Sequence, residues 1–348
     1  MNLYGNHLYM DDVRSVASLD LPWNRIAHKT LVLSGATGMI GSFLTDVLLE
    51  RKDLDCRIIA LTRSVEKAEA RFSGHAGNLE FVKYDVKDSF DPGRICSADY
   101  VLHLASNTHP LQYSTDPIGT ITTNIIGLQN MLEFAVSDNA CRFAFASSNE
   151  IYGENRGDTE LFDESYCGYI DSNTMRAGYP ESKRCGEALC QAYRAQKGLD
   201  VVIPRFTRTY GPTMLASDTK AISQFIKKGV DGEDIVLKSA GTQFYSYQYV
   251  ADSVSGLLFI LLCGENGAAY NIADESSDIT LRDLAGIIAG INGRQVVFEI
   301  PDAVEAAGYS RATKARLDGS RLKALGWKPR YTIKTGIERT ISIIRSLS

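Results

Sequence analysis

Hydrophobic and polar positions follow two different spacings along the chain from about residue 30 onwards. Short runs of β-branched and other apolar residues predict buried strands, and longer segments with apolar residues three or four apart predict amphipathic helices. Because the predicted strands alternate with helices, the expected fold class is α/β, with a doubly wound parallel sheet covered by helices on both faces. The predicted strands are TLVLSG, RIIALTR, LEFVKYDV, ADYVLHLAS, CRFAFASS and DVVIPRF, and the predicted helices include TNIIGLQNMLEFAV and YPESKRCGEALCQAYRAQKG.

A glycine-rich loop joins the first predicted strand to a helix. Its sequence is GATGMIG, with glycines at Gly35, Gly38 and Gly41. Glycines at this spacing let the backbone turn tightly and approach a pyrophosphate, and the helix N-terminus that follows offers free N–H groups. Since the strand and the helix on either side supply the context that the motif requires, the sequence predicts a Rossmann-type dinucleotide site rather than a simple turn.

The end of the second strand bears on which dinucleotide binds. An acid at this position would hold the adenosine 2′-hydroxyl, but the chain has Arg63. Because an arginine can pair with a 2′-phosphate, the sequence favours NADP over NAD, with a solvated or adenine-stacking Arg63 as the alternative. Asp85 and Val86 end the third strand and are candidates for contact with the adenine. Capping of the loop by Asp85 is the alternative there.

Tyr179 and Lys183 are the leading catalytic candidates. They lie four residues apart at the start of a predicted helix, so both face the same side. A tyrosine holds its proton up to a pH of about 10, but a nearby ammonium group and a positive nicotinamide ring both favour the phenolate. Tyr179 would then accept a proton from a substrate hydroxyl while a hydride leaves to the cofactor. An exposed pair without a catalytic role is the alternative.

Two serines end the fifth predicted strand. Carboxyl ends of strands face the ligand crevice in sheets of this kind, so the hydroxyls of Ser147 and Ser148 are expected to meet a substrate oxygen. The alternative is that a serine here only caps the next turn.

Composition and charge exclude several classes of function. The chain has 348 residues and a net charge of −5, and this acidic balance argues against nucleic acid as a partner. Its seven cysteines are odd in number and form no CxxC pair, so we expect neither a disulfide framework nor a metal site, and we favour the cytoplasm. The polar N-terminus is unlike a signal peptide, and the apolar run at 256–263 is too short for a bilayer, so no membrane partner is expected.

The chemical motifs extend over most of the chain. From about residue 30 to about residue 330 they run in the order GATGMIG, LHLAS, TNIIGLQNMLE, SSNEIYG, YPESK, PRFTRTYGP, YQYVAD, YNIAD and LGWKP. This series resembles the extended short-chain dehydrogenase/reductases, and within them the NAD(P)-dependent nucleotide-sugar epimerase/dehydratase family. The resemblance implies tightly bound NAD(P), a nucleotide-diphosphate sugar as substrate, and a homodimer formed through the helices that carry Asn124 and Tyr179.

The resemblance also implies a reaction and assigns roles by position. Members oxidise a sugar hydroxyl, usually at C4, to a transient ketone, and epimerisation or elimination and return of the hydride follow. Ser148, Tyr179 and Lys183 match the catalytic positions. The cofactor positions lie in the glycine loop, in the turn after the fourth strand and on the following helix: Gly35, Thr37, Gly38, Met39, Ile40, Gly41, Leu104, Ala105, Ser106 and Asn124.

One match to the family pattern and three departures from it concern the substrate. Glu150 matches a base or polariser at C5, whereas Asn149 replaces the acid of the 4,6-dehydratases. Tyr245 stands where many relatives carry an arginine that contacts the nucleotide sugar. Arg208 stands where an asparagine often contacts the sugar diphosphate, and it is expected to bind the diphosphate or a sugar carboxylate. The alternatives are a salt bridge for Glu150, a buried ion pair for Arg208 and, for Asn124, a structural helix-kinking role.

Two further arginines are candidates for substrate contact. Arg176 precedes the catalytic tyrosine, and Arg311 belongs to a late basic cluster with Lys314 and Arg316. A solvated helix face is the alternative for that cluster.

The leading hypothesis is therefore a redox-neutral nucleotide-sugar epimerase or dehydratase. Decarboxylation of a nucleotide-linked uronic acid is an alternative reaction, and Tyr245 in place of the arginine counts against it. NADPH-dependent reduction of a keto-sugar is another. A catalytically inactive, cofactor-sensing binding protein is the alternative of a different class, and the intact catalytic set argues against it, because a sensor needs no proton relay.

The α/β alternation divides the chain into three regions. Residues 1–28 precede the first strand and form an extension that packs in part on the rest. Residues 29–210 form the dinucleotide-binding domain with the catalytic residues. The alternation loosens after Tyr210, so 211–348 is expected to be a smaller, interleaved α/β lobe that mainly binds substrate, with some segments returning to the large sheet.

Overall fold

The computed structural model of the protein describes residues 3–74, 77–89, 95, 97–108, 113, 115–299 and 313–347. The helices in these residues are α1 (His7–Ala17), α2 (Met39–Glu50), α3 (Val65–Phe72), α4 (Pro117–Ser137), α5 (Gly178–Lys197), α6 (Ala221–Asp231), α7 (Val250–Cys263), α8 (Leu281–Ile291), α9 (Ser320–Ala324) and α10 (Ile333–Leu347). The strands are β1 (Thr30–Ser34), β2 (Arg57–Thr62), β3 (Leu79–Lys83), β4 (Tyr100–His103), β5 (Arg142–Phe145), β6 (Ser147–Ser148), β7 (Val201–Phe206), β8 (Arg208–Tyr210), β9 (Ile235–Leu237), β10 (Phe244–Tyr249), β11 (Ala269–Ile272), β12 (Asp278–Thr280), β13 (Val296–Phe298) and β14 (Lys314–Ala315).

The large sheet contains all six strands that the sequence predicts. Its order is β3-β2-β1-β4-β5-β7-β11, with β6 also paired to β7, and every pairing is parallel. The central strands are buried along their length because helices cover both faces. The α/β fold class is thus confirmed. The strand order reverses beside β1, and the crevice outside the carboxyl ends of β1 and β4 is where such sheets bind ligands.

A smaller sheet belongs mainly to the second half of the chain. It has the order β12-β10-β14, and β8 pairs in parallel with β10. The sequence analysis places β8 in the dinucleotide-binding domain, but the structure pairs it with this smaller sheet. In the opposite direction, β11 returns to the large sheet beside β7. The apolar run at 256–263 lies in α7, which is buried over nearly its whole length.

The N-terminal extension contains a helix that the sequence analysis did not predict. Asn6 caps α1, since its side chain accepts a hydrogen bond from the backbone N–H of Tyr9 at 2.9 Å. Tyr9, Val13 and Val16 are buried on one face of α1, at helical spacing. The extension therefore packs as part of the core.

Buried carboxylates fasten this extension to both halves of the molecule. Asp12 on α1 accepts hydrogen bonds from the hydroxyls of Tyr249, at 2.7 Å, and Tyr331, at 2.6 Å, and forms an ion pair with Arg339 at 2.7 Å. Asp46 on α2 accepts a hydrogen bond from Tyr9. Since α2 begins at the glycine loop and α10 carries Arg339, α1 connects the start of the dinucleotide site with the C-terminal helix.

Candidate active site

The glycine loop has the geometry that close approach of a ligand requires. Gly35 has a φ of +77°, and a Cβ there would lie 2.8 Å from the backbone nitrogen of Ala105. A Cβ on Gly41 would lie 2.2 Å from the carbonyl oxygen of Gly35. Only glycine fits either position. The spacing of the glycines predicts these positions, and the structure shows the neighbouring atom that excludes a side chain at each of them.

The loop leads into α2 in a way that suits an anion. Gly38 is the N-cap of α2 and has no side chain to satisfy the first N–H groups of the helix, which begins at Met39. Thr37 and Ile40 lie beside it in the same loop and first turn. Free N–H groups at a helix N-terminus bind phosphates, so these residues fit the pyrophosphate of a dinucleotide.

The turn after β4 is held against the end of β1. The backbone N–H of Leu104 donates to the carbonyl of Ser34 at 3.1 Å, and that of Ala105 donates to the Ser34 hydroxyl at 3.3 Å. The same hydroxyl is hydrogen-bonded to Nδ1 of His103 at 2.8 Å. Burial lowers the pKa of His103 to about 3, so its imidazole is neutral. The turn that carries Leu104, Ala105 and Ser106 is thereby fixed next to the glycine loop.

The residues proposed for the adenine end differ in their contacts. Arg63 is exposed at the end of β2 and has no ion pair among the described residues. Asp85 accepts a hydrogen bond from the backbone N–H of Lys87 at 3.0 Å, so the loop-capping alternative describes its contact. Val86 is buried and packs on α4, where a Cβ on Gly127 would lie 2.7 Å from it. This packing requires an apolar side chain at Val86, and its contact with the adenine stays a prediction.

Tyr179 is buried in the first turn of α5, with 6% of its surface exposed. Burial raises its pKa above the ordinary value, and the charge of Glu150 raises it further. Hydrogen bonding with Ser148 and Ser106 and the charge of Arg176 act in the opposite direction. The sequence predicts a phenolate favoured jointly by the ammonium group of Lys183 and a positive nicotinamide ring. Among the protein's own groups, desolvation outweighs the favourable charges. The phenolate in the cofactor-bound site stays a prediction.

Lys183 lies one turn further along α5 and is only 2% exposed. Its ammonium group donates a hydrogen bond to the carbonyl of Ala146 at 2.8 Å. It also lies over two rings, 4.7 Å from the centroid of Phe145 and 5.9 Å from that of Tyr179. Burial lowers the pKa of Lys183 to about 7. The pair is therefore buried, and the alternative of an exposed pair does not describe it.

A chain of hydrogen bonds runs from Ser106 to the backbone carbonyl of Tyr179. Ser106 donates to the side-chain oxygen of Asn124 at 2.7 Å, the Asn124 amide donates to Ser182 at 2.9 Å, and Ser182 donates to the backbone carbonyl of Tyr179 at 2.8 Å. Asn124 is fully buried within a continuous α4, so its contacts match the supporting role rather than a helix kink. Ser182 is not among the site residues predicted from the sequence. A polar residue next to Lys183, on the face of α5 that must be buried, was the available signal.

The two serines of β6 face different neighbours. The Ser148 hydroxyl accepts the backbone N–H of Glu150 at 3.2 Å, which caps the turn, and it also reaches Tyr179. Ser147 donates instead to the carboxylate of Glu187 at 2.5 Å. The prediction that Ser147 contacts substrate is therefore corrected: successive residues of a strand point to opposite faces, and only Ser148 faces Tyr179. Glu187, which also pairs with Arg205 at 2.6 Å, was missed.

Glu150 and Arg176 form an ion pair beside Tyr179. Both terminal nitrogens of the Arg176 guanidinium, Nη1 and Nη2, contact the carboxylate, at 2.8 and 3.0 Å. The guanidinium also covers the ring of Tyr113 at 4.9 Å, and Tyr113 stacks on Tyr179 with ring centroids 4.8 Å apart. The salt-bridge alternative for Glu150 thus describes its contacts. Asn149 is buried in the turn between Ser148 and Glu150.

Three further arginines are proposed for substrate contact or belong to the late basic cluster. Arg208 lies over the ring of Tyr245, with the guanidinium carbon 3.6 Å from the ring centroid. Arg316, of the late basic cluster, pairs with the buried Asp278 at 2.7 Å. Arg311 lies outside the described residues, so no contact of it is assigned.

Within the described ranges, no group of three or more His, Cys, Asp or Glu side chains is placed to hold a metal ion. None of the helices described above is long and apolar enough to cross a membrane.

Comparison with known proteins identifies the family of the chain. Residues 31–273 match the model of the NAD dependent epimerase/dehydratase family. The chain belongs to this family. It is accordingly an NAD-dependent enzyme of the epimerase/dehydratase class, and the predicted family is confirmed.

Relatives of this epimerase/dehydratase resemble it over nearly the whole chain. UDP-glucuronic acid decarboxylase 1 of Xenopus tropicalis is 32% identical over 324 residues, which cover 91% of this chain and 72% of the relative. The structure of a dTDP-glucose 4,6-dehydratase from Streptomyces venezuelae with NAD and TYD bound has a TM-score of 0.77 and 26% identity, covering 91% of this chain and 97% of the other. A UDP-glucose 4-epimerase from Thermotoga maritima, with UDP-glucose, has a TM-score of 0.79 and 24% identity, covers 91% and 99%, and shows the shared fold.

Proposed function

We propose that this enzyme oxidises a hydroxyl of a nucleotide-diphosphate sugar, at C4, to a transient ketone, and that epimerisation or elimination and return of the hydride follow. The observation that carries the proposal is the buried constellation of Tyr179, Ser148 and Lys183 next to the glycine loop. Bound NAD(P)⁺ supplies the hydride acceptor and a positively charged ring.

The chain's own residues would handle the proton. Ser148 hydrogen-bonds the reacting sugar oxygen, and Tyr179 accepts the proton of that hydroxyl. Lys183, whose terminal nitrogen is buried behind the ring, hydrogen-bonds the ribose of the dinucleotide and, in its protonated form, stabilises the phenolate. The Ser106–Asn124–Ser182 chain holds Tyr179 in place while its charge changes. Because Tyr179 has a raised pKa on its own, the reaction depends on the added positive ring.

NADP is the dinucleotide that the end of β2 favours. Arg63 is exposed there, and no acid stands in the position that would repel a 2′-phosphate. The hydroxyl of Ser64 is engaged in capping α3, since it accepts the backbone N–H of Lys67 at 3.4 Å. We infer that Arg63 pairs with the 2′-phosphate, and that NAD(P) stays bound through the catalytic cycle.

Decarboxylation of a nucleotide-linked uronic acid is the second candidate. The similarity to UDP-glucuronic acid decarboxylases and the presence of Glu150 favour it. Tyr245 in place of the usual arginine counts against it, unless another cation replaces that arginine.

A homodimer and a cytoplasmic location complete the proposal. Large apolar side chains are exposed on α4 and in the turn before α5, among them Ile118, which is 75% exposed, and Ile126 and Met175. Exposed apolar residues on one surface favour association, and pairing of α4 and α5 with their copies would bury them. The free cysteines that the structure describes suit a reducing compartment.

Sedimentation measures the proposed dimer. Replacing Ile118 and Ile126 together with aspartate is expected to convert a dimer into a folded monomer, because like charges would then face each other across the interface. The matched control replaces Val297 and Phe298, which are also exposed but lie in β13, with aspartate. A wild-type protein that sediments as a monomer contradicts the proposed dimer.

A product assay tests the proposed reaction. The protein, with its bound dinucleotide, is incubated with a panel of nucleotide sugars, and products are identified by mass spectrometry. An isomer identifies an epimerase, loss of water a dehydratase and loss of carbon dioxide a decarboxylase. Net consumption of reduced cofactor identifies a reductase. Failure to convert any nucleotide sugar while the cofactor is bound contradicts the proposal.

A further inference from the structure

Arg208 and Tyr245, two of the departures from the family pattern, lie against each other. They stand on adjacent parallel strands, with Arg208 of β8 opposite Tyr247 of β10. The Arg208 guanidinium stacks on the Tyr245 ring, 3.6 Å from its centroid. Such stacking fixes the plane of a guanidinium and leaves its edge open for hydrogen bonds. We call these two residues the Arg208–Tyr245 pair.

The pair carries a positive charge that no carboxylate of the described residues neutralises. Arg176 is paired with Glu150, and Arg205 with Glu187. Arg208 forms no ion pair within the described ranges, and its buried Nη1 has no hydrogen-bond partner there. A buried charged donor without a partner is costly, so its presence indicates an anion that arrives with the substrate.

The pair also reaches the reacting end of the site. Phe206, two residues before Arg208, lies opposite Ser148 where β7 pairs with β6. The charges of Glu150, Arg176 and Arg208 also act on the pKa of Tyr245, which burial raises. Glu150 in turn acts on Tyr179. In a uronic acid the carboxylate is attached to C5, the neighbour of the reacting C4, whereas the diphosphate is attached across the ring at C1. A cation near Glu150 and Tyr179 is therefore better placed for the carboxylate.

We infer that Arg208, held flat by Tyr245, binds the carboxylate of a nucleotide-linked uronic acid and so selects an acidic sugar over its neutral counterpart. The inference rests on the proposed function and narrows its substrate class. Arg208 on the neighbouring strand β8 would thereby replace the arginine that many relatives carry at the position of Tyr245. A planar guanidinium matches a carboxylate with two parallel hydrogen bonds.

Binding measured without turnover tests this inference. Calorimetric titrations use cofactor-loaded protein that carries Tyr179→Phe, with UDP-glucuronate, UDP-glucose and UDP as ligands. UDP-glucuronate is expected to bind more tightly than UDP-glucose. Adding Arg208→Met, which keeps the length of the side chain, is expected to weaken UDP-glucuronate by about tenfold to a hundredfold and to change the other two by less than about twofold. Arg282→Met, at an exposed arginine on α8, is the matched control and should change none of them.

Each outcome decides the inference separately from the reaction. Equal loss of affinity for all three ligands means that Arg208 binds the diphosphate, and it overturns the inference. Equal binding of UDP-glucuronate and UDP-glucose before the Arg208 change also overturns it. A selective loss of UDP-glucuronate supports it, even if the product assay finds a reaction other than the one proposed. Tyr245→Leu, which removes the ring, should reproduce part of that selective loss, whereas Tyr245→Phe should not.

Discussion

Replacing Tyr179 with phenylalanine is expected to lower kcat by about a hundredfold to ten-thousandfold. The change removes the hydroxyl that accepts the substrate proton but keeps the ring that stacks on Tyr113. It also keeps the backbone carbonyl that accepts the hydrogen bond of Ser182. Nucleotide-sugar binding should therefore change by less than about twofold, which separates a chemical role from a structural one.

A second tyrosine of the same helix provides the control for this change. Tyr193 lies near the other end of α5, and its hydroxyl donates to Glu133. Tyr193→Phe should leave kcat unchanged within about twofold, since that hydroxyl is remote from the glycine loop. Steady-state rates and ligand titrations on both variants are the measurement. If Tyr179→Phe retains wild-type kcat, the catalytic assignment is wrong.

Replacing Lys183 with methionine is expected to lower kcat about as much as Tyr179→Phe does. The same change is expected to stabilise the folded protein. The buried amine has a folded pKa of about 7, below its ordinary value of 10.5. Folding therefore favours the neutral amine. The contribution of Lys183 to the free energy of unfolding is therefore highest above the unfolded pKa of 10.5. It decreases as the pH falls from there towards the folded pKa of about 7. The function of Lys183 thus conflicts with stability, as is common in active sites.

The stability gained by Lys183→Met is expected to depend on pH. Below a pH of about 7 the folded protein must hold a buried ammonium, and methionine removes that cost. The gain in the free energy of unfolding for Lys183→Met should therefore be larger at about pH 6 than at about pH 10. Denaturant unfolding at the two pH values is the measurement. Lys197→Met, at the exposed end of α5, is the control. A gain that is independent of pH would contradict the assigned burial of the charge.

The sequence predicts those features that depend on local pattern. The large-sheet strands up to β7, the glycine loop and the Tyr179–Lys183 spacing all follow from hydrophobic periodicity and motif order. Helix α1 is harder to predict because its buried face is completed by partners such as Tyr249 and Tyr331, far along the chain. A short segment that packs only on distant residues gives a weak local signal.

The site shows the same division between local and long-range information. Spacing identifies Tyr179 but not the raised pKa of its phenol, because burial is a property of the whole fold. The sequence alone does not show which of Ser147 and Ser148 faces Tyr179. In the folded strand the two side chains point to opposite faces, and Ser147 contacts Glu187. Likewise, Arg208 and Tyr245 are two separate departures along the chain, and only the pairing of β8 with β10 brings them together.

Isotope transfer tests the central claim most directly, namely that this site removes hydrogen from C4 of a nucleotide-linked sugar. The cofactor-loaded protein is mixed with a substrate identified by the product assay and labelled with deuterium at C4, and the reaction is quenched within a single turnover. Mass spectrometry of the released dinucleotide should find deuterium in wild-type protein and none in the Tyr179→Phe variant. Product formation by wild-type protein with no deuterium in the dinucleotide at any quench time would contradict the account.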